Sequence, residues 1–126
     1  ACEGGPERGR RDRREKRSPM KDVAGMIRSL HYASNAASVG LISSLSDVDH
    51  SATIDAWQMA WFQASAHAFL NGYFHEQETA PWRSEYQRLL DLFLLEKTLY
   101  EIRYEINNRP DWVQIPLRGL IELLSL

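Results

Sequence analysis

Apolar residues in this chain recur three and four positions apart over three long stretches, and nowhere do they alternate for the length of a strand between turn residues. That period commits the chain to helices packed on helices. Val23, Met26, Ile27, Leu30, Ala37 and Leu41 form the first stretch, which predicts a helix from about 19 to about 44. Ser18 and Pro19 suit its start: the hydroxyl accepts from a free N–H of the first turn, and proline there gives up an N–H that has no partner. The Ser/Asp-rich run SSLSDVDHSAT then breaks the pattern and reads as a loop ending in a capped helix start.

In the second stretch Ile54, Trp57, Trp61, Ala64 and Ala68 make one stripe, with Phe62, Ala66, Phe69 and Tyr73 beside it. An arc that wide predicts a central helix, and the small side chains from Ala64 to Ala68 would admit a close neighbour. The pattern fades after Phe74 into HEQETAP. After Pro81, Tyr86, Leu89, Leu90 and Phe93, then Leu92, Leu95, Leu99, Ile102 and Ile106, predict a third helix to Asn107, with the all-round apolar LLDLFLL leaving open a kink or a junction of two helices. Asn107, Asn108 and Pro110 end it, because the residue before a proline is disfavoured in the α region. A last helix is expected from Pro116 to about Ser125, with Leu117, Leu120, Ile121 and Leu124 on one face. The expected architecture is all-α, with four to five helices over 18–126 behind an arm at 1–17.

At 126 residues the chain has room for one core, and 44% hydrophobic residues can fill it. The net charge of −2 hides an asymmetry: residues 1–21 hold eight Lys/Arg against four Asp/Glu, and the remainder seven against thirteen. The basic arm has no aromatic between Arg8 and Arg17, and Glu7, Asp12 and Glu15 are mixed into it, so it reads as a solvated linker; a nucleic-acid partner is not expected. Cys2 is the sole cysteine and cannot close an internal disulfide. With no apolar run of about 18 residues and no signal pattern, no membrane span is expected and the expected setting is cytoplasmic. The absence of an initial Met suggests a piece of a longer protein.

Chemistry is sparse. His31, His50, His67 and His75 are never one helical turn apart, which argues against a metal site in the bundle, and His67 reads as a half-buried, hydrogen-bonded side chain. Nucleophile motifs, a phosphate-cradling loop and a dinucleotide fingerprint are absent from the sequence. The densest polar constellation is YEIRYEINNRPDW, residues 100–112, where Tyr100 and Tyr104, and likewise Glu101 and Glu105, stand one turn apart. Carboxylates, an amide and aromatic faces are what a sugar requires, since its hydroxyls need hydrogen-bond partners and its C–H face packs on rings. The same residues also suit a helix edge with a structural salt-bridge network.

KRSPMKDVAGMIRSLHYA at 16–33 and LLEKTLYEIRYEINNRPDWVQIPLRGL at 94–120, with the spacing between them, resemble the carboxyl-terminal part of maltokinases, which also occur fused to trehalose synthase. The resemblance implies a helical fragment of a protein-kinase-like C-lobe. The parent enzyme, using ATP and magnesium, would phosphorylate maltose to maltose 1-phosphate for α-glucan synthesis. The ATP-binding half and catalytic loop would precede residue 1, so the partners implied are maltose and a missing kinase half or trehalose synthase domain. The family's magnesium-binding Asp-Phe-Glu-Gly-Glu-Pro is similar only in part to Ala1-Cys2-Glu3-Gly4-Gly5-Pro6, with a methyl group where the metal-binding aspartate would stand. No cofactor is therefore expected on this chain, nor activity from it alone. Tyr100, Tyr104, Glu105, Asn108 and Arg109 become the expected substrate-binding residues; Trp112 suits either a sugar platform or, the favoured reading, a plug that anchors the last helix, and Asp22 is expected to cap or pair locally. A non-enzymatic helical interaction module, or a related kinase with an aminoglycoside or choline acceptor, are the other readings.

Overall fold

A computed structural model describes residues 19–44, 50–74 and 83–125. The expected Ser18 cap, the arm at 1–17 with its partial metal motif, most of the first loop and the HEQETAP run lie outside the described residues. The elements are α1 (Pro19–Ser44), α2 (Ser51–Phe74), α3 (Arg83–Asn108), a 3-10 turn (Pro110–Trp112) and α4 (Gln114–Leu124), with no strand among the described residues. The all-α expectation holds, and α1 has the bounds its periodicity predicts.

The centre of the fold is α1, not α2. Met20, Val23, Ala24 and Ile27 are buried along the first turns of α1 and close a core with Phe74, Leu90 and Leu94. Each such aliphatic, fully buried, contributes about 1.5–3 kcal/mol. Farther along, the buried row continues through Arg28, His31, Ser34, Asn35 and Ser38. These are polar, so apolar periodicity missed them and chose Met26, Ala37 and Leu41, which are exposed. Ser34 and Asn35 are satisfied within their own helix, both donating to the His31 carbonyl at 2.8 and 2.9 Å, and Gln58 of α2 donates to Ser34 Oγ at 2.9 Å. Small, locally bonded side chains give α2 a close seat on this end of α1.

Contrary to expectation, α2 lies on the flank. Trp57, Trp61, Ala64 and Ala68 face outward, and only Gln58 and Phe74 are buried. With α3 on another side of α1, too few described elements remain to cover both faces of α2. His67 is exposed, not half-buried, and its Nδ1 lies 3.3 Å from Asn71 Nδ2.

α3 runs as one helix through LLDLFLL, with no junction there. Leu90, Leu94, Thr98, Glu101 and Glu105 form its buried row, so the apolar surplus at Leu89, Leu92 and Leu99 is exposed. Arg109, with φ −141° and ψ 73°, leaves the α region as a residue before proline should. Its N–H still reaches the Glu105 carbonyl at 2.8 Å, and the 3-10 turn reverses the chain into α4. That last helix starts at Gln114, two residues before the expected Pro116, because a proline in the first turn lacks only an N–H that would have no helical partner. Gly119 lets α4 close on α1: a Cβ there would stand 2.5 Å from Arg28 Nη1.

His31 is 1% exposed, edge-on to Phe62 at 4.9 Å, and neither ring nitrogen has a hydrogen-bond partner. Burial, then Arg28 and Arg118, lowers its pKa from 6.5 to about 4, although Glu122 stands 3.8 Å from Nε2. The unfolded chain therefore binds this proton more readily than the folded one, and stability falls as pH drops from about 6.5 to 4. The loss reaches roughly 3 kcal/mol at 1.36 kcal/mol per pH unit. The Glu101 and Glu122 carboxyls, raised by burial, oppose this trend, so the His31 contribution is read as a difference: urea unfolding should show the native chain losing stability relative to His31→Gln as pH drops across that window, and a difference that does not change with pH would contradict it.

Candidate functional site

The facing sides of α1 and α3 carry matching pairs, each at helical spacing: buried Arg28 and half-buried Tyr32 on α1, buried Glu101 and Glu105 on α3. Arg28 Nε donates to Glu101 Oε1 at 2.6 Å with both side chains nearly excluded from water. Tyr32 OH donates to Glu105 Oε2 at 3.2 Å. Arg109, arriving from beyond the helix end, grips the same carboxylate with Nε on Oε1 at 3.0 Å and Nη2 on Oε2 at 3.1 Å. Glu105 is 0% exposed and accepts three hydrogen bonds from two residues, Tyr32 and Arg109.

Charge states follow from these surroundings. Burial pushes the Glu101 carboxyl above its ordinary range, with Arg28 pulling the other way. Burial, followed by the charges of Glu101 and Glu105, raises the Tyr32 hydroxyl, which stays protonated and keeps donating. The hydrogen bond to Glu105 raises Arg109, and burial raises Glu122.

Above this floor lies an open cleft of about 320 Å³ between α1 and α3. Tyr100 and Tyr104 form one wall, near-parallel at 21° with ring centres 6.5 Å apart and 60% and 45% exposed. Lys97 Nζ stands 5.0 Å over the Tyr100 ring, and the Arg109 guanidinium lies 5.9 Å from the Tyr104 ring and 4.6 Å from Trp112. Ser29 and Tyr32 line the opposite side.

Three of the expected site residues, Tyr100, Tyr104 and Arg109, therefore meet at one cleft. Glu105 lies beneath them, where it orients Tyr32 and Arg109. Asn108 does not line the cleft; its amide donates to the Tyr104 carbonyl at 2.9 Å and caps the end of α3. Trp112, expected as a plug, keeps 36% exposure and stacks on Arg109. Asp22 lies exposed in the first turn of α1, where a carboxylate favours the helix dipole.

Arg28, Ser29, Tyr32 and Lys97 line the cleft and were not singled out from the sequence. A signal existed: an arginine and a tyrosine four apart inside an apolar stripe, with two glutamates four apart on another helix. Among the described residues, no group of three or more His, Cys, Asp or Glu is placed to hold a metal ion, and no helix is long and apolar enough to cross a membrane. No protein-family model matches the chain.

Removing one member of the buried pair leaves a charge without its partner. Arg28→Met should cost about 3–5 kcal/mol in urea unfolding, and adding Glu101→Leu should restore most of it, because an apolar pair of similar volume is often neutral. A double variant no more stable than the single would contradict the coupling.

Proposed function

We propose that the chain is the acceptor-binding helical part of a sugar kinase of the maltokinase kind, and that the α1–α3 cleft holds a glucosyl ring of maltose. The observation carrying this reading is the stacked, exposed Tyr100–Tyr104 pair beside hydrogen-bonding groups that are already held in place. Pyranose C–H faces pack on aromatic rings, and Ser29, Lys97 and Arg109 offer donors for hydroxyls. The volume, about 320 Å³, falls at the small end of the roughly 300–1,000 Å³ of ligand pockets, which suits one ring with the rest of the sugar outside.

Charge separates this acceptor from the others considered. Arg28, Lys97 and Arg109 bring three cations to the cleft, and the two carboxylates, Glu101 and Glu105, are already engaged by Arg28 and Arg109. An aminoglycoside or choline would bring positive charge to a site that already has an excess of it. A neutral sugar meets no such opposition.

Phosphoryl transfer works through positioning and charge stabilisation, so it requires a lobe over the ATP phosphates, a base for the acceptor hydroxyl and a magnesium-holding carboxylate. In this reading the rest of the kinase provides those parts. The present helices bind the sugar and orient its hydroxyl, converting part of the barrier into binding.

Titrating the 126-residue chain with maltose while following the Tyr100 and Tyr104 ring signals by NMR should give a dissociation constant on the order of 1 mM, about −4 kcal/mol. Tyr100→Ala should weaken it about fivefold to tenfold, the worth of one aromatic contact. Silent tyrosine signals, tighter binding of an aminoglycoside, or ATP-dependent maltose phosphorylation by this chain alone would contradict the proposal.

A further inference from the structure

A second cavity, of about 210 Å³, lies between the C-terminal half of α1 and the turn that leads into α4. It shares no lining residue with the α1–α3 cleft. Val39 and Ile42 of α1 and Ile115 of α4 give it apolar walls, and Trp112, whose ring bears the Arg109 guanidinium at 4.6 Å, adds an aromatic side. Two buried polar side chains also line it with oxygens that accept no hydrogen bond among the described residues. Asn35, 3% exposed, donates its amide N–H to the His31 carbonyl at 2.9 Å and leaves its own carbonyl oxygen without a donor. Ser38, 6% exposed, makes no side-chain hydrogen bond there. Buried polar groups in folded proteins are ordinarily satisfied, so these two oxygens call for a donor that enters the cavity.

Charge narrows what that donor is. Asp55 of α2 and Asp111 of the 3-10 turn line the cavity with Arg118 of α4, two carboxylates against one guanidinium. Arg118 Nη1 stands 3.6 Å from Asp55 Oδ1, and Asp111 has no ion pair or side-chain hydrogen bond among the described residues. The nearby Arg109 is already matched by Glu105. The last turns of α1 and the first turn of α4 both reach this cavity, and the opposite charges of those helix ends offset. The surplus is negative, the reverse of the α1–α3 cleft, where Arg28, Lys97 and Arg109 outnumber Glu101 and Glu105.

We infer that this cavity is a binding site for a small organic ammonium ion with an apolar body. A primary ammonium carries three donors and no acceptor, which answers the Asp111 carboxylate, the Asn35 carbonyl and the Ser38 hydroxyl together. Val39, Ile42 and Ile115 then pack on the hydrocarbon part, and the Trp112 ring attracts the cation through its π face. An anion would meet the surplus carboxylate, and a neutral ligand would leave it unanswered. The volume is below the roughly 300–1,000 Å³ of drug-sized pockets, which limits the body to one ring or a short chain. Because the two cavities have no residue in common, the inference is independent of the sugar reading.

Benzylammonium, benzyl alcohol and benzoate share one ring and differ in the charge of the head group. Titrated into the full chain at neutral pH and followed at the Trp112 indole N–H by NMR, benzylammonium should bind with a dissociation constant on the order of 1 mM. It should bind about fivefold more tightly than benzyl alcohol, with benzoate weakest and the Tyr100 ring signals unmoved. Asp111→Asn should cost the ammonium about threefold and leave benzyl alcohol unchanged, with helical circular dichroism unaltered because Asp111 is exposed. Arg118→Gln removes the competing cation and should tighten the ammonium. If Asp111→Asn loses helicity, the order of the three ligands on the native chain is the reading. Equal affinity for benzylammonium and benzyl alcohol, a response at Tyr100 in place of Trp112, an Asp111→Asn chain that binds the ammonium as the native one does, or weaker binding in Arg118→Gln would overturn the inference.

Discussion

Glu101 and Glu105 are buried one helical turn apart on α3, and two carboxylates so placed are unfavourable unless each acquires its own partner. Arg28 answers the first, and Tyr32 with Arg109 the second. This requirement fixes the register of α1 against α3, because Arg28 and Tyr32 have the same four-residue spacing. It also fixes the end of α3, because Arg109 must leave the helix and turn back. The 3-10 turn begins at the next residue and aims α4 across Arg28, where Gly119 makes room. Apolar burial by Met20, Val23, Leu90 and Leu94 supplies cohesion, but it is non-directional; the charged ladder specifies which faces meet.

The cleft is a consequence of that ladder. Once the carboxylates point inward, the tyrosines at 100 and 104, next to each in sequence, must point out, and they do so on the edge where Lys97 and Arg109 also emerge. A ring-shaped, uncharged, hydroxyl-bearing ligand suits such a surface. Two of the side chains that line it, Tyr32 and Arg109, are held from below by Glu105, so part of the entropic cost of ordering them falls on folding, not on binding.

Helix existence was legible because the period of three and four residues persists through every long stretch. Which helix is central was not, because the seat α1 offers to α2 is built from Ser34, Asn35 and Ser38, whose fitness lies in small size and local hydrogen bonding. Conversely Trp57 and Trp61 read as core and stand exposed, because α2 meets α1 through its other side, where Gln58 is buried. Tyr100, Tyr104 and Arg109 could be read from one dense segment. Arg28 and Tyr32 could not, since pairing them with Glu101 and Glu105 needs the juxtaposition of residues 73 positions apart.

Amide hydrogen exchange on the native chain tests most directly whether α1 and α3 are one unit held by buried charge. Amides of residues 28–35 in α1 and 98–105 in α3 should be protected to the same extent, exchanging only by global unfolding, while amides at the outer ends of both helices exchange faster. Exchange of residues 28–35 through a separate, lower-energy opening, with 98–105 still protected, would show that the ladder does not bind the two helices together.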